Sequence, residues 1–504
     1  MSTTAAPISD SFTPTQRALI LITVSTCTAL YALTLTLVNV ILPQMQGAFS
    51  VTPDQIAWVV TLNIVATAIV TPATGWLVDR FGERKVMLGA VGGFAAASLL
   101  CATADSLTSL LVYRVLQGGF GAPTVPLSQA ILLAVYSKEQ RAMAQSAFGM
   151  AVVLGPAFGP VVGGYLAEEY NWRWVFIFVV PLAVLALAGT FAFIRDLESK
   201  GKPQLDWTGF LTLAVAVTCL QLLMDRGEQL DWLESGEILL LIFVGGMSLY
   251  VFLVHTFTHD TPFISPHLFL DLNFSIGLVV VFVYGMLNFT PIVLLPPLLQ
   301  NLKGYPDSLI GLLLAMRGAG LTAGFFIAMR MGRLDPRIGL IVGMLCIGIS
   351  GVLMAQFDLN VPTENIAWMV VLQGIGCGIL WVPLTIVTFA TLPESLLSQG
   401  SAIFHLLRNF GTSIFVSISV MLVTRTAKFN YADLSEGVSV YNETLRMPGV
   451  LGDWNIESLK GLAAIDGEIH RQSRMIGYDN AFLLYTLVCF AIIPLVLFIK
   501  VRQR

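Results

Sequence analysis

The stretch GWLVDRFGERKVML, residues 75–88, decides how this chain must be folded. It concentrates acidic and basic side chains between two apolar runs, 54–77 and 86–104. Each run is long enough to cross about 30 Å of hydrocarbon as a helix of roughly 20 residues. A charged turn between two such runs predicts a helical hairpin in a membrane, with the turn held at the aqueous surface.

The composition of the whole chain points the same way. Its 504 residues are 56% hydrophobic and only 12% charged, with a mean hydropathy of +0.79. Soluble domains contain about 25% charged residues, so the composition excludes an ordinary water-soluble protein. Backbone groups in lipid must be hydrogen-bonded within the chain, and the alternating pattern of a membrane barrel is absent. We therefore expect an all-α integral membrane protein.

Fourteen apolar runs predict fourteen transmembrane helices. Their approximate limits are 18–42, 54–77, 86–104, 108–133, 142–166, 174–194, 207–224, 237–256, 274–299, 308–329, 338–356, 366–391, 400–424 and 480–500. The connections are short except for 425–479, whose length favours a lid or a docking surface with some helix of its own.

Basic residues set the expected orientation. One set of span ends carries Arg17, Arg80, Arg84, Lys85, Lys138, Arg141, Arg195, Lys200, Lys202, Arg330, Arg333, Arg337, Lys500, Arg502 and Arg504. The short loops of the other set carry only Arg173, Arg226 and Lys303. Because cytoplasmic loops are enriched in Lys and Arg, both termini are expected in the cytoplasm and 425–479 outside.

Two motifs combine small and charged residues in an ordered way. The loop motif contains Gly75, Asp79, Arg80, Gly82, Arg84 and Lys85. Its glycines suit close helix packing and a tight turn, its carboxylate can accept from a helix N-terminus or an arginine, and its cations hold the loop in the cytoplasm. A plain positive-inside loop is the simpler alternative, and the ordered spacing argues against it.

The second motif lies in LGPAFGPVVGGYL, residues 154–166. It contains Gly155, Pro156, Gly159, Pro160, Gly163 and Gly164. Small residues four apart let helices approach closely, and proline weakens the backbone ladder locally. The pattern predicts a smooth, bendable helix face, either at a moving seam or in ordinary tight packing.

These motifs resemble those of the major facilitator superfamily. The stretch 75–88 is similar to its signature cytoplasmic loop, and 154–166 to the fifth-helix motif of its antiporters. Further similar stretches are LLVYRVLQGGFGAP (110–123), NWRWVFIFVVP (171–181), MDRGEQLDW (224–232) and the RN pair at 408–409. The resemblance covers essentially the whole chain and is nearest to the fourteen-helix drug:proton antiporters of the EmrB/QacA type.

The resemblance implies an architecture and a function. It implies a major facilitator fold with a cytoplasmic tail (1–17), an N-terminal six-helix half (18–194), two inserted helices (195–273) and a C-terminal six-helix half (274–504) that includes 425–479. It implies proton-coupled multidrug efflux by alternating access in a bacterial inner membrane. It also makes a periplasmic adaptor protein and an outer-membrane channel candidate partners, beside the lipid bilayer and a small amphipathic substrate.

Charges inside the spans are the first candidates for function. A charge at the bilayer centre costs about 2.5–3.5 kcal/mol on insertion scales, so it usually faces a cavity or a partner. Arg114, whose family counterpart is implicated in coupling, and Asp225 are the coupling candidates. The cavity candidates are Thr34, Thr36, Asn39, Asn63, Gln117, Tyr284, Asn288, Arg317, Gln373, His405 and Arg408. Capping of helix-end carbonyls or snorkelling is the alternative for Arg317 and Arg408, and a hydrogen bond in the packing is the alternative for His405.

The first span departs from the family pattern. In ALTLTLVNVILP, residues 32–43, Thr34 occupies the position where the family usually has an aspartate. A threonine hydroxyl cannot carry a proton at neutral pH, so coupling by the familiar carboxylate is excluded. Asp225 is expected to pair with Arg226 or a neighbouring loop. With arginines and no obvious intramembrane carboxylate, the cavity should favour anionic or neutral amphiphiles.

Other functional classes find no support in the sequence. It contains no HExxH, GxSxG or GxxxxGK pattern, so an enzyme and an ATPase are not expected, and GIGCG (374–378) lies inside an apolar helix. The six cysteines all lie in apolar runs, so we expect no disulfide, metal site or cofactor. Nucleic acid is not an expected partner. The alternatives left open are a transporter of a specific metabolite or organic anion, and a non-transporting membrane sensor or scaffold.

Overall fold

The computed structural model describes residues 12–137, 139–195, 204–332, 334–439, 441–446, 454, 456 and 458–500. Fourteen long helices form its framework. They are α1 (Pro14–Phe49), α2 (Asp54–Phe81), α3 (Glu83–Ala102), α4 (Leu107–Val135), α5 (Arg141–Glu169), α6 (Trp172–Phe193), α7 (Trp207–Arg226), α8 (Gly236–Thr258), α9 (Leu272–Lys303), α10 (Asp307–Met331), α11 (Pro336–Met354), α12 (Thr363–Thr388), α13 (Leu397–Glu436) and α14 (Leu459–Val496).

The apolar runs and the helices correspond one to one. Thirteen of the helices, all except α5, are long and apolar enough to cross a membrane by length and composition. The remaining helix, α5, has 29 residues and coincides with the predicted fifth span. The all-α membrane class predicted from the sequence is confirmed.

Local sequence explains where several helices begin and bend. Thr13 and Thr52 each form a capping box with a glutamine three residues later, which satisfies free N–H groups at the start of α1 and α2. Pro72 lies in a short 3-10 segment within α2, and Pro123 lies where α4 is interrupted. Proline removes a backbone donor, so these two sites bend their helices.

The helices form two groups and an inserted pair. Helices α1–α6 pack around one apolar core. Helices α9–α14 pack around two others, the larger of which also includes residues of α2, α4, α5 and α7. The inserted helices α7 and α8 pack against each other, and α8 is mostly exposed. Helix α7 also contacts α2 of the first group and α13 of the second, so it bridges the two six-helix halves.

The two halves meet near one end of the bundle, which we call the basic end because it carries Arg84, Lys85 and Lys500. Here a Cβ added to Gly75 of α2 would come within 2.9 Å of the Cα of Gln399 in α13. The proline-bent segments of α2 and α4 both pack against α13 at this end. The bends therefore position the first half against the second.

The segment 425–479 is largely helical where it is described. Helix α13 continues to Glu436, and α14 begins at Leu459 rather than near residue 480. Helices of 40 and 38 residues are about 60 Å long, twice the thickness of the hydrocarbon layer. Both therefore extend past the bundle at the end opposite the basic one, which we call the outer end. Residues 447–453 lie outside the described part.

Candidate functional site

A buried arginine anchors the polar interior of the first half. Arg114 of α4 is only 1% exposed. Its Nε donates to the carbonyl of Val59 at 3.0 Å, and one terminal nitrogen donates to the side-chain oxygen of Gln117. Gln117 in turn donates to the hydroxyl of Ser98 at 2.7 Å, and Asn63 donates to the carbonyl of Arg114 at 2.9 Å. The guanidinium is thus held by neutral acceptors from α2 and from α4 itself, and Gln117 links it onward to α3.

A second buried arginine anchors the other half. Arg317 of α10 donates from Nε to the side-chain oxygen of Gln373 at 2.6 Å. It also donates to the side-chain oxygen of Asn288 at 2.8 Å and to the backbone oxygen of that residue at 2.6 Å. Gln373 donates onward to the carbonyl of Leu287 at 3.1 Å. Arg317, Gln373 and Asn288 therefore form one network across α9, α10 and α12.

The two networks are related by an internal repeat. The tetrapeptide VLQG occurs at 115–118 in α4 and again at 371–374 in α12. A Cβ added to Gly118 would lie 2.3 Å from the carbonyl oxygen of Asn63, and one added to Gly374 would lie 2.3 Å from that of Arg317. Each half thus brings the same tetrapeptide against its second helix. The sequence contained this signal, and only the paired contacts make it recognisable as a repeat.

A third arginine belongs to a cluster at the junction of the halves. The guanidinium carbon of Arg408 of α13 lies 5.8 Å from the ring centre of Trp381, and the ring of Tyr284 lies 5.1 Å from that same indole. Tyr31 of the first half is also within electrostatic reach of Arg408. Arg408 donates to the side-chain oxygen of Asn409 at 3.1 Å, but its buried Nε has no hydrogen-bond partner within the described structure.

His405 links the halves one turn away from Arg408. Its Nε2 is hydrogen-bonded to the side-chain oxygen of Gln129 in α4, and the imidazole is 2% exposed. The amide nitrogen of Gln129 and the Nδ1 atom of His405 are buried without a partner in the described residues. Ser401, one turn earlier, donates to the carbonyl of Pro126 at 2.9 Å. This face of α13 is thus one of the contacts between the two halves.

The three intramembrane arginines share one electrostatic property. Within the described part of the chain, none of Arg114, Arg317 and Arg408 forms an ion pair. A buried cation without a neutralising carboxylate attracts an anionic group, because the charges are screened little there. Arg408 also has a free donor and aromatic neighbours, so its surroundings can hold an acidic group and an apolar body together.

Within the described structure, the candidate threonines on α1 make their hydrogen bonds within that helix and not with the cluster around Arg408. Thr34 is buried and donates to the carbonyl of Leu30 in its own helix at 2.9 Å. Thr36 donates to the carbonyl of Leu33 at 3.0 Å, and Asn39 is exposed at the outer end. Thr36 and Asn39, the predicted shared polar face, therefore form no hydrogen bond with Arg408 among the described residues. A hydroxyl bonded to its own helix needs no further partner.

The glycine motif of α5 packs against α1. A Cβ added to Gly155 would lie 2.6 Å from the carbonyl of Ala29, and one added to Gly159 would collide with the hydroxyl of Thr36. Gly163 faces Leu37 in the same way, whereas Gly164 has nothing within 4 Å. These contacts lie within the first half. Helix α5 meets the second half elsewhere, where Gly149 lies against the ring of Phe325. The side chains of Pro156 and Pro160 lie outside the described part.

The coupling candidate Asp225 lies at the outer end. It is exposed, and one carboxylate oxygen accepts a hydrogen bond from Thr61 of α2. It lines a cavity of about 330 Å³ together with Asn39 and Asp54. The expected pairing with Arg226 does not occur, because Arg226 extends to Glu237 of α8 at 2.5 Å.

The loop motif forms the turn between α2 and α3. Gly82 has φ 86°, a value that favours glycine, and joins the two helices directly. Arg84 donates to the carbonyl of Phe191 in α6 at 2.7 Å and lies over its ring. Arg80 lies over the ring of Trp76. Lys85 is exposed, and Asp79 is half-buried in the last turn of α2.

Several residues at the junction of the halves were not predicted from the sequence. Gln129, Trp381 and Ser401 were not among the candidates, although they contact His405, Arg408 and the first half. A glutamine in the middle of the apolar run 127–135 was a signal that could have been used. Tyr485 was also missed. Its hydroxyl lies 3.3 Å from the amide nitrogen of Gln373.

Comparisons with known proteins agree on one family. The family model described as Major Facilitator Superfamily matches residues 24–280 and 277–428. The multidrug export protein EmrB of Escherichia coli (strain K12) is 31% identical over 489 residues, which cover 96% of each chain. The fatty acid resistance protein FarB of Neisseria gonorrhoeae is 29% identical over 467 residues, or 92% of each chain. The crystal structure of the human organic anion transporter MFSD10 superposes with a TM-score of 0.62 at 14% identity, covering 95% of this chain and 100% of that one.

Proposed function

The chain belongs to the major facilitator superfamily, and from that premise we propose that it is a secondary active exporter of the EmrB type. It is a transporter rather than an enzyme, and it is a multi-pass protein of a bacterial inner membrane. Its substrates are small amphipathic toxic compounds, which it moves by alternating access. The observation that carries this proposal is the cluster of Arg408, Trp381 and Tyr284 at the junction of the two six-helix halves.

The contacts at the basic end support alternating access. In this fold the two halves rock around a site near the membrane midplane. Here Ser401 and Gln399 of α13 touch the proline-bent segments of α4 and α2, which closes the bundle at that end. We assign the basic end to the cytoplasm from the distribution of Lys and Arg. The described conformation is then the one that releases substrate outward.

The cluster around Arg408 supports a preference for anionic amphiphiles. Its guanidinium has a free donor and no carboxylate partner, and Trp381, Tyr284 and Phe404 provide an apolar wall. FarB, a relative of comparable length, is named for resistance to fatty acids, which carry one carboxylate on an apolar chain. Lipophilic dications should be disfavoured by the same charge. A transporter for one specific organic anion is the second candidate, and the same unpaired arginine favours it.

We propose that protons drive the exchange and that Asp225 carries them. Arg114 keeps its proton at any physiological pH, so it orients neighbours rather than titrating. Asp225 is a carboxylate exposed at the outer end and held by Thr61, where it can take up a proton from outside. A charge moving through 100 mV releases about 2.3 kcal/mol, enough to support a useful gradient.

The outer ends of α13 and α14 support a periplasmic partner. The two helices pack on each other there through Tyr431, whose hydroxyl donates to Asp466 at 2.6 Å and whose ring centre lies 4.3 Å from that of His470 with the planes tilted by 49°. Apolar side chains on this extension remain uncovered, and Phe429 and Leu459 are the most exposed of them at 82% and 86%. Exposed apolar surface outside the bilayer marks an interaction site. We propose that an adaptor protein, continuing to an outer-membrane channel, binds here.

Resistance assays test the substrate class. The chain is expressed in a host that lacks its own efflux systems, and survival is measured against a fatty acid, a weak-acid uncoupler and a quaternary ammonium dye. Protection against the two acids and not against the dye is expected. Protection against the dye alone would contradict the proposed anion preference.

A further inference from the structure

Two helix ends meet at the basic end of the inserted pair. Asp206 is the N-cap of α7, and His255 lies in the last turn of α8. One carboxylate oxygen of Asp206 accepts from the backbone nitrogen of Gly209 at 2.9 Å, and the other accepts from that of Phe263 at 3.0 Å. The Nε2 atom of His255 lies 2.9 Å from the first of these oxygens. The carboxylate is therefore fixed in place by the backbone.

A second imidazole completes a cluster. His259 follows His255 by one helical turn, and the two rings stack with centres 4.7 Å apart and planes 21° apart. One ligand atom from each of Asp206, His255 and His259 can be chosen so that all three lie within 4.8 Å of one another. The side chains of Asp206 and His255 are 6% and 20% exposed, whereas His259 is exposed.

We propose that Asp206, His255 and His259 form a binding site for a divalent transition-metal ion of the zinc, cobalt or nickel class. Two imidazoles and one carboxylate are borderline ligands that these ions prefer, whereas Mg²⁺ and Ca²⁺ prefer oxygen ligands alone. Two histidines four residues apart on one helix face are a common way to supply two of the ligands. Three protein ligands leave a further position for water.

The geometry requires only one side chain to move. Metal bonds to histidine nitrogen and carboxylate oxygen are about 2.0–2.2 Å long, so ligands of one ion lie roughly 3–3.5 Å apart. The pair Asp206 and His255 already has nearly this spacing. His259 must swing inward, and its exposure leaves it free to do so. Burial opposes ionisation of Asp206, but the hydrogen bonds from Gly209, His255 and Phe263 outweigh it and lower the pKa of the carboxyl. The carboxylate is thus charged near neutral pH.

A simpler account gives the cluster no metal. In that account Asp206 caps α7, His255 donates to it as a latch, and His259 only stacks. The two accounts differ over His259, since the latch does not need it and the metal site does. A bound ion would join the start of α7 to the end of α8 through metal–ligand bonds, in addition to the helix packing and the hydrogen bonds of Asp206 to His255 and Phe263.

The test is titration of the purified full-length protein, free of any histidine tag, with Zn²⁺ by calorimetry and with Co²⁺ by visible absorption. One saturable site per chain and the absorption bands of a low-coordinate Co²⁺ complex are expected. His259→Ala should weaken Zn²⁺ binding at least tenfold. His267→Ala is the matched control, since His267 is an exposed histidine of the same connection and lies outside the cluster. It should bind as the wild type does.

Three results would overturn the metal site. They are the absence of saturable Zn²⁺ binding, equal affinity in the wild type and the His259→Ala variant, and loss of binding in the His267→Ala variant. His255→Ala provides the second variant, and circular dichroism confirms that each variant is folded. None of these measurements depends on transport, so the site can fail while the proposed function stands.

Discussion

Gly75 lies against the backbone of Gln399, so closely that a Cβ at Gly75 would come within 2.9 Å of the Cα of Gln399. Gly75 lies in the last two turns of α2 in the first half, and Gln399 lies in the first turn of α13 in the second half. A real Cβ essentially never lies so close to a backbone atom, so this contact requires glycine. It is a direct backbone contact between the two halves.

Gly75→Val should therefore block closure of the basic end. We expect the export rate to fall at least tenfold while the protein remains folded, because the two halves can no longer approach. Gly89→Val is the control, since a Cβ at Gly89 would meet nothing within 4 Å. Efflux of a fluorescent substrate from whole cells measures both. Wild-type efflux by the Gly75→Val variant would show that this contact does not gate transport.

Gln373→Leu should destabilise the second half. The change removes the acceptor of Arg317 at 2.6 Å and leaves a buried charged donor unpaired, which costs about 1–3 kcal/mol. A lower unfolding temperature in detergent, measured by scanning fluorimetry, is expected. Gln356→Leu is the comparison, because Gln356 is exposed at the end of α11. Equal unfolding temperatures for the two variants would argue against a structural network around Arg317.

Arg408→Gln should change substrate selection rather than folding. Removing the cation abolishes its attraction for an acidic head group, so we expect KM for an anionic amphiphile to rise at least tenfold and that for a neutral one to change little. Arg425→Gln, at an exposed position on the same helix, is the control. Transport assays with a matched acid and amide measure the difference. Parallel losses for acid and amide would contradict an anion-binding role.

Asp225→Asn should uncouple transport from protons. The amide keeps the shape of the carboxylate but cannot titrate, so we expect downhill efflux to persist while uphill transport is lost. Asp54→Asn is the control, because Asp54 lines the same outer cavity. Proton movement on addition of substrate is followed with a pH-sensitive dye. If substrate still moved protons in the Asp225→Asn variant, the proton site would have to be elsewhere.

Phe429→Ser should weaken binding of the adaptor without affecting transport itself. Phe429 is 82% exposed on the outer extension of α13, where loss of its apolar surface removes docking area. Co-purification with the adaptor encoded in the same genome is the measurement, alongside flux in vesicles. Phe257→Ser is the control, since Phe257 is 74% exposed near the basic end. Undiminished co-purification of the Phe429→Ser variant would place the partner elsewhere.

The fold could be predicted because the bilayer imposes its own pattern. A span needs about 20 apolar residues whatever its neighbours are, so the runs between Arg17 and Lys500 specified fourteen helices. The expectation of some helix within 425–479 agrees with the structure, but the pattern did not show how far α13 and α14 extend, because helices that continue into water are polar and lose the apolar signal. The extensions are held together by contacts between the two helices, such as the hydrogen bond of Tyr431 to Asp466. These two residues are 35 positions apart, so the contact could not be predicted from the local sequence.

The site could be predicted only in part. The cost of a buried charge identified Arg114, Arg317 and Arg408 from the sequence alone. Gln117, Asn288 and Gln373 were also among the candidates, but which arginine each one contacts could not be predicted, because partners such as Arg317 and Gln373 are 56 residues apart. The cluster of Asp206 and His255 was missed for the same reason, since the two residues are 49 positions apart. Thr34 was singled out by its departure from a family pattern, yet it bonds only to its own helix.

Flux through the reconstituted protein tests the central claim most directly. Vesicles with an acidic lumen are given a fluorescent lipophilic sulfonate, whose permanent charge prevents leakage across the bilayer. The account predicts that the wild-type protein accumulates the sulfonate, that a protonophore abolishes this accumulation, and that the Arg408→Gln variant loses most of it. Accumulation of a quaternary ammonium dye instead, or equal uptake by the wild type and the Arg408→Gln variant, would contradict the account.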